Sequence, residues 1–242
     1  MNAIILAAGT GSRLVNLTRE LPKALVEVRG RPLIDYTLRF VESLDCERIN
    51  VVGGFYFDKL QHHLERYKEK IRLFENTEFL NGSILSLMSA LPSQEGSFLL
   101  LNVDHIYPLR LGKTFLKRKS ELTQITAFVD FDRPLNEDDM KVALTKDQHV
   151  QKISKTLQEF DAGYIGMTYV PQEKLGVYKN AAHTIAEKHK EAVVENLLQW
   201  LVENNQAPEI FNASGIRWLE VDNQWDLRNA ERILSLVDNY LE

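Results

Sequence analysis

The stretch AIILAAGTGSRL, residues 3–14, decides the fold, and PKAL follows it at residues 22–25. It opens with six apolar residues that end at Gly9, a pattern typical of a strand buried on both faces of a parallel sheet. A glycine-rich loop at the end of such a strand leaves backbone N–H groups free to point at one spot, and it lets an anion approach closely. Because Arg13 and Lys23 add two cations, the stretch predicts a phosphate-binding loop on an α/β sheet.

Apolar patterns alternate between the strand period and the helix period through the first half of the chain. They predict strands over 48–54, 72–76 and 97–104 and helices over 32–44, 58–67 and 84–91. Because parallel strands need crossover connections, this alternation predicts a three-layer α/β/α sandwich with a mixed, mainly parallel central sheet of Rossmann-like type. Ligands bind such sheets at the carboxyl ends of the strands, which is where Gly9 and Asp104 fall.

The pattern changes in the second half of the chain. Strands are predicted over 123–131, 140–145, 149–154 and 163–170, with little helix between them. A turn at 146–148 joins two of these strands as a hairpin, so this half predicts a small antiparallel lobe. The remaining predicted elements are a long amphipathic helix over 190–205, a late strand over 216–222 and a closing helix over 224–241.

Composition excludes several classes of protein. The net charge of −5 comes from 34 acidic and 29 basic residues that are spread along the 242-residue chain, so a basic surface for nucleic acid is not expected. A single cysteine, Cys46, excludes an internal disulfide and fits a reducing compartment. The apolar N-terminal run is too short for a membrane span and lacks the charged region of a signal peptide. We therefore expect a cytoplasmic protein without a membrane span.

Three kinds of phosphate loop compete for the glycine-rich stretch. A dinucleotide-binding fingerprint requires a third glycine where this chain has Leu14, and a P-loop requires a Gly-Lys-Ser/Thr run that is absent. The string LAAGTGSRL with PKAL instead resembles the signature of the nucleotidyltransferases that join a nucleoside triphosphate to a sugar phosphate or an alcohol phosphate. A glycine turn with incidental surface charges would explain GTG alone, but not the whole string in register.

Two later stretches support the same resemblance. LLLNVDHIY at 99–107 and WLEVDNQWDL at 218–227 place Asp104 and Asp222 where this family carries magnesium-binding aspartates, and Mg²⁺ commonly takes one or two protein carboxylates. The resemblance implies Mg²⁺ held by this pair, with Arg13 and Lys23 as catalytic residues. It also implies a set of nucleotide-binding residues. These are Leu6, Ala8, Gly9, Thr10, Gly11, Ser12, Gly82 and Ser86.

The resemblance extends to a subgroup. EFLNGSILSLMSAL at 78–91 is similar to the segment that borders the nucleobase in the phosphocholine cytidylyltransferases, and NVDHIY to the cytidylyltransferases acting on inositol phosphate. Hexose-phosphate enzymes have Glu-Lys-Pro where this chain has Ser154-Lys155-Thr156. The resemblance therefore implies transfer of CMP from CTP to phosphocholine or a polyol phosphate, with release of pyrophosphate and with Lys155 at the acceptor phosphate.

The same resemblance gives an expected organisation and leaves alternatives open. We expect one domain over 1–242, with a nucleotide-binding half over 1–120 and an acceptor-binding half over 121–242, as a monomer or homodimer. A hexose-1-phosphate nucleotidyltransferase using another triphosphate and a glycosyltransferase using a nucleotide-sugar remain possible, as does a regulatory module without turnover. A glycosyltransferase typically carries an Asp-x-Asp pair, which is not present at Asp104.

Other polar and aromatic residues are given structural interpretations. Strand alternation places neighbouring side chains on opposite faces, so His105 is expected to point away from Asp104. Lys141 is expected to be an exposed strand charge and Glu195 to be solvated on a helix. Core packing is the preferred prediction for three aromatic residues, namely Tyr164, Tyr169 and Trp218.

Overall fold

Strand β1 (Asn2–Leu6) lies inside a nine-stranded sheet because both of its faces are apolar. In the computed structural model, which describes residues 1–14, 17–236 and 240–241, Ala3 and Ile5 pack into the hydrophobic core on one side of the sheet. Ile4 and Leu6 pack into the core on the other side. The apolar run at the start of the chain is therefore a strand buried on both faces, as predicted.

The described residues form short strands and helices that alternate along most of the chain. The other strands are β2 (Glu27–Val28), β3 (Arg31–Pro32), β4 (Arg48–Gly53), β5 (Ile71–Glu75), β6 (Phe98–Asn102), β7 (His105–Ile106), β8 (Thr126–Asp130), β9 (Lys141–Leu144), β10 (Val150–Ser154), β11 (Ala162–Val170), β12 (Glu209–Asn212) and β13 (Leu219–Glu220). The helices are α1 (Leu33–Glu42), α2 (Phe57–Leu64), α3 (Ser83–Ala90), α4 (Leu109–Arg118), α5 (Leu175–Lys188), α6 (Val194–Glu203) and α7 (Gln224–Leu236). None of these helices has both the length and the apolar character needed to cross a membrane.

The large sheet is mixed, with a parallel centre. Its strands follow the order β10-β9-β11-β6-β1-β4-β5, while β8 pairs with β11 and β12 pairs with β8. Strands β6, β1, β4 and β5 are parallel to one another, and β11 runs antiparallel to β6. The hairpin of β9 and β10 is antiparallel, with the predicted turn between them. The predicted antiparallel strands of the second half thus extend the same sheet.

Helices cover both faces of the sheet. On one face, α1, α2 and α4 contribute residues such as Phe40, Leu60 and Phe115 to the core. On the other face, α3, α5 and α6 contribute residues such as Ile84 and Leu197. The predicted three-layer α/β/α sandwich is confirmed.

Several elements differ from the sequence prediction. Helix α5 has 14 residues in a region where little helix was expected, although its buried Tyr178, Ala181, Ala182 and Ile185 follow the helical period; α4 and β12 were not predicted either. The late strand predicted over 216–222 is shorter in the structure, where it consists of β13 alone. This strand pairs with β7 and brings Glu220 opposite His105. Part of the predicted closing helix, residues 237–239, lies outside the described residues, and α7 is described to Leu236.

The segment before α3 generates a stability prediction. A Cβ on Gly82 would lie 1.9 Å from the backbone oxygen of Ala192, and a backbone clash cannot be relieved by a side-chain rotation. We expect Gly82→Ala to lower the free energy of unfolding by about 2 kcal/mol or more. Gly176→Ala, in open space on α5, is the control and should change it by at most about 1 kcal/mol. Urea unfolding followed by circular dichroism measures both; equal midpoints would contradict the clash.

Candidate functional site

A cleft of about 310 Å³ opens at the carboxyl ends of β1 and β6. Along the chain the sheet grows from β1 to β4 and β5 on one side, and then β6 is added on the other side of β1. Such a reversal of strand order separates the loops that follow the two strands and leaves a crevice between them. The cleft contains most of the residues that the sequence indicated. These are Leu6, Ala8, Gly9, Arg13, Lys23, Ser86, Asp104, Lys155 and Asp222.

Four residues predicted to bind the nucleotide do not line this cleft, namely Thr10, Gly11, Ser12 and Gly82. Gly11 has a φ of +64°, and a Cβ there would approach the methyl group of Thr18 to 2.9 Å. Gly82 packs against the backbone of residues 191–192. A glycine is favoured at residue 11 by the turn and at residue 82 by the close approach of another backbone segment. Neither reason involves a ligand.

The Lys23 ammonium lies at the centre of the cleft and contacts both predicted metal aspartates. Its Nζ donates to Asp104 Oδ2 at 2.6 Å and also to Asp222 Oδ1, and the lysine is 7% exposed. Burial lowers the pKa of the ammonium, but the two carboxylates outweigh burial and raise that pKa above its ordinary value. One buried cation thus brings together two carboxylates that are far apart in the sequence.

Arg13 lies at the rim of the same cluster. Its guanidinium donates to Asp222 Oδ2 at 2.6 Å and to Asp138 Oδ2 at 3.1 Å, and its side chain is half exposed. Asp138 belongs to the loop between β8 and β9, and it was not among the predicted site residues. Both cations that follow the glycine-rich loop are therefore held by carboxylates and extend into the cleft.

The carboxylates at this point have the chemistry of a magnesium site. Asp104 and Asp222 each place an oxygen on the same ammonium, so they face one small volume. Carboxylate oxygens are hard ligands, and Mg²⁺ commonly takes only one or two of them beside phosphate oxygens. The described residues contain no cluster of three or more His, Cys, Asp or Glu side chains that could hold a metal by themselves. The two aspartates fit a cation that shares its coordination with a bound phosphate.

His105 was predicted to point away from Asp104, and this prediction is wrong. Its Nδ1 lies 2.7 Å from Asp104 Oδ1, because β6 ends at Asn102 and a turn at 103–104 interrupts the strand alternation. The buried imidazole stacks on Trp218 at a centroid distance of 5.3 Å. Burial raises the pKa of the Asp104 carboxyl, but Lys23 and His105 outweigh burial and hold that pKa well below its ordinary value.

Gly166 makes room for the imidazole. Its φ is +70°, and a Cβ there would lie 2.7 Å from Cε1 of His105. Burial lowers the pKa of the imidazole, but Asp104 outweighs burial and raises it. His105 is therefore fixed on its faces by aromatic packing and at its edge by Asp104. The aromatic residues predicted to lie in the core do so: Tyr164, Tyr169 and Trp218 are each no more than 7% exposed.

Two glutamates also face the cleft. Glu195, expected to be solvated, lies at the start of α6, where the Asn102 amide donates to its Oε1 at 3.5 Å and burial raises the pKa of its carboxyl. Burial also raises the pKa of the Glu220 carboxyl, which contacts Arg133 at 3.4 Å. Glu220 precedes Asp222 by two residues, and strand alternation could have found it; Glu195 had no such signal.

Comparisons with known proteins identify relatives of this chain. Residues 3–137, more than half of the chain, match the MobA-like NTP transferase domain. The chain is 27% identical to the CTP:phosphoglutamine cytidylyltransferase of Campylobacter jejuni, over 94% of this chain and 98% of the relative. It is 26% identical to the bifunctional IPC transferase and DIPP synthase of Aquifex aeolicus, over 96% of this chain but only 51% of that enzyme.

Solved structures show the same fold. The inositol-1-phosphate CTP transferase from T. maritima superposes with a TM-score of 0.78 at 20% identity, over 98% of this chain and 97% of the other. The CTP:phosphocholine cytidylyltransferase from Streptococcus pneumoniae gives a TM-score of 0.76 at 23% identity, over 96% and 98%. With the family match over more than half of its length, this chain belongs to the MobA-like NTP transferase family and is a nucleotidyltransferase.

Proposed function

We propose that the enzyme transfers CMP from CTP to a small phosphorylated alcohol or sugar, of the phosphocholine or polyol phosphate type, and releases pyrophosphate in a magnesium-dependent reaction. The observation that carries the proposal is the Lys23 ammonium between Asp104 and Asp222, beside the glycine-rich loop. Relatives named as cytidylyltransferases support the choice of CTP.

The proposed reaction is an in-line displacement. A phosphate oxygen of the acceptor attacks the α-phosphorus of CTP, the bond from that phosphorus to the β-phosphate oxygen breaks, and pyrophosphate leaves. The attacking phosphate is already an anion, so no strong general base is required. Catalysis then consists of aligning two anions that repel each other and neutralising the charge that accumulates.

The residues of this chain have distinct roles in that scheme. We assign the triphosphate to Arg13 and to the loop amides of residues 8–12, of which residues 8 and 9 line the cleft itself, and we assign Lys23 to the space between the α-phosphate and the incoming phosphate. Asp104 and Asp222 would hold Mg²⁺, which supplies positive charge to the phosphate oxygens when bound. The ion pairs of Arg13 with Asp222 and of Lys23 with Asp104 support these roles. They hold both cations toward the cleft, where phosphate groups would bind them.

Lys155 and Glu195 are the proposed contacts to the acceptor. Both line the cleft, Lys155 after the end of β10 and Glu195 on α6. We assign Lys155 to the acceptor phosphate. The Glu195 carboxylate can accept hydrogen bonds from hydroxyl groups or face an ammonium group, which suits the head group of a polyol or an amino alcohol. Ser154, in place of the glutamate of hexose-phosphate enzymes, supports a non-hexose acceptor.

A substrate matrix tests the proposed function. CTP, UTP, dTTP and GTP are each mixed with phosphocholine, inositol phosphate, glycerol phosphate or glucose 1-phosphate in the presence of Mg²⁺. Pyrophosphate release and the mass of the product are measured. We expect release with CTP and a non-hexose acceptor, giving a CDP-alcohol. Glucose 1-phosphate as the best acceptor would favour a hexose-phosphate enzyme, and consumption of a nucleotide-sugar without pyrophosphate would favour a glycosyltransferase.

The aspartate pair gives a mutational prediction. Asp104→Asn and Asp222→Asn should each lower kcat by about 10²-fold or more, because each removes charge that acts in the transition state. The double variant should be little worse than either single variant, since residues that act as one unit are not additive. Asp147→Asn, on the exposed hairpin turn, is the control. Full activity of Asp222→Asn would place the second ligand elsewhere.

The imidazole behind Asp104 gives a second prediction. The imidazole stacks on the Tyr107 ring as well as on Trp218. His105→Phe keeps a ring that can stack on both but removes the contact to Asp104. Because partners that orient a ligand carboxylate commonly matter by 10–100-fold, we expect kcat to fall by about tenfold or more while the melting temperature changes little. Gly166→Ala would place a methyl group against Cε1 of the imidazole and displace the ring. We expect kcat to fall in this variant as well. Unchanged kcat in both variants would show that Asp104 needs no such support.

A further inference from the structure

Lys141 is a buried lysine that the proposed chemistry does not use. It is the first residue of β9 and is 7% exposed, whereas the sequence predicted an exposed strand charge. Burying an ammonium is costly unless its donors find acceptors. A buried lysine is therefore expected to have hydrogen-bond acceptors that offset the cost of burying its charge.

Its acceptors in the described part of the chain are backbone carbonyl groups. The Nζ donates to the oxygens of Asn136 and Lys155, each at 2.8 Å. The oxygens of Glu137 and Asp139 lie farther away, at 3.4 and 3.5 Å. An ammonium has three N–H donors. Two of them make the short bonds to Asn136 and Lys155, and the third is shared between the two farther oxygens. The acceptors come from two separate segments, the loop 136–139 and the turn after β10, and one ammonium fastens both.

Both fastened segments border the cleft. The loop carries Asp138, which pairs with Arg13 at 3.1 Å, and Asp138 and Asp139 line the cleft. The turn carries Lys155, the proposed contact to the acceptor phosphate, whose own side chain is exposed and lines the cleft. The long lysine side chain has many rotamers, so its reach depends on where its backbone is held. The Lys141 ammonium holds this backbone in place because it donates to the carbonyl oxygen of Lys155.

The loop has further anchors that do not involve Lys141. Leu135 packs against Gly163, where a Cβ would approach it to 2.6 Å. The Arg133 guanidinium lies 4.1 Å from the centroid of the Trp218 ring. The amide of Tyr164 donates to the oxygen of Met140 at 2.8 Å. Because both ends of the loop are held independently, loss of the ammonium should loosen the segment between them without unfolding the protein.

We propose that Lys141 is a positioning residue that sets the acceptor side of the cleft by tying the Asp138 loop to the backbone of Lys155. Lys141 does not touch the substrate; it acts through Lys155 and the loop. The part of this inference that concerns the acceptor rests on the proposed function. The part that concerns the tie between the two segments rests on hydrogen bonds alone, and the two parts have separate readouts.

Hydrogen exchange tests the tie without any substrate. Lys141→Met keeps an unbranched apolar side chain of similar length and removes all three donors. We expect faster deuterium uptake in peptides covering 136–140 and 155–158, and unchanged uptake in the central strands. Lys152→Met, at an exposed position on β10, is the matched control and should change neither peptide. Unchanged uptake in either segment, or faster uptake throughout the protein, would overturn the tie.

Steady-state kinetics test the functional part with the best acceptor of the matrix. Lys141→Met should raise the acceptor KM about tenfold, because a small misplacement of a binding group is costly, and should leave the CTP KM within about twofold. Lys141→Arg, which keeps charge and donors, should recover part of the loss. Lys155→Ala should raise the acceptor KM as well, and the double variant should be no worse than Lys155→Ala, as expected for residues that act as a unit.

The possible failures are distinguishable. If the unmodified enzyme releases no pyrophosphate with any acceptor, the proposed function is wrong, while hydrogen exchange still decides whether Lys141 ties the two segments. If the enzyme is active and Lys141→Met leaves the acceptor KM unchanged, the positioning role is wrong. Fully additive effects of Lys141→Met and Lys155→Ala would also contradict it. If Lys141→Met does not fold, Lys141→Gln replaces it in the same measurements with the same expected outcomes, because its shorter, uncharged side chain cannot donate to both segments at once.

Discussion

The contact of one lysine with two aspartates determines how the cleft is assembled. Lys23 reaches Asp104 in the turn after β6 and Asp222 in the segment after β13, and its backbone N–H donates to the oxygen of Gly9. One residue therefore contacts the glycine-rich loop through its backbone and both carboxylates through its side chain. Removing one partner of a buried ion pair leaves the other charge uncompensated, which costs more than the pair itself contributes. A substitution that removes the charge of Lys23, Asp104 or Asp222 should therefore also change the positions of the other two side chains.

The charge of the cleft places a condition on what can enter it. Among the described residues, six carboxylates and three lysine or arginine side chains line it. A triphosphate and a second phosphate would add further negative charge, and electrostatic repulsion is strong in a partly buried site. Under the proposed function, the carboxylates near Lys23 must be neutralised for two such anions to bind, and this is the role that the proposal gives to Mg²⁺. The same acidic lining is compatible with an acceptor that carries hydroxyl or ammonium groups at the end opposite its phosphate.

The sequence predicted the parts of the site that follow from local rules. Local rules placed Arg13 and Lys23 at a phosphate loop and Asp104 at the same edge of the sheet, because the carboxyl ends of parallel strands meet there. Asp222 follows the antiparallel strand β13, and it was indicated only by the resemblance to the nucleotidyltransferases. The sequence could not predict His105, because a turn cancels the strand alternation on which the prediction depended. The burial of Lys141 was missed because it depends on carbonyl groups of two separate segments, which strand alternation does not reveal. Helix α5 was overlooked although its apolar spacing was present.

The pairing of β13 with β7 has a consequence for the order in which the enzyme forms during synthesis. Chains emerge from the ribosome from the N-terminus at about 5–20 residues per second, and Asp222 follows Lys23 by most of the chain. Lys23 and Asp104 are therefore both synthesised on the order of ten seconds before Asp222. Such long-range contacts form slowly because a large loop must close first. The ion pair of Lys23 with Asp222 is thus one of the last contacts of the cleft that this chain can form.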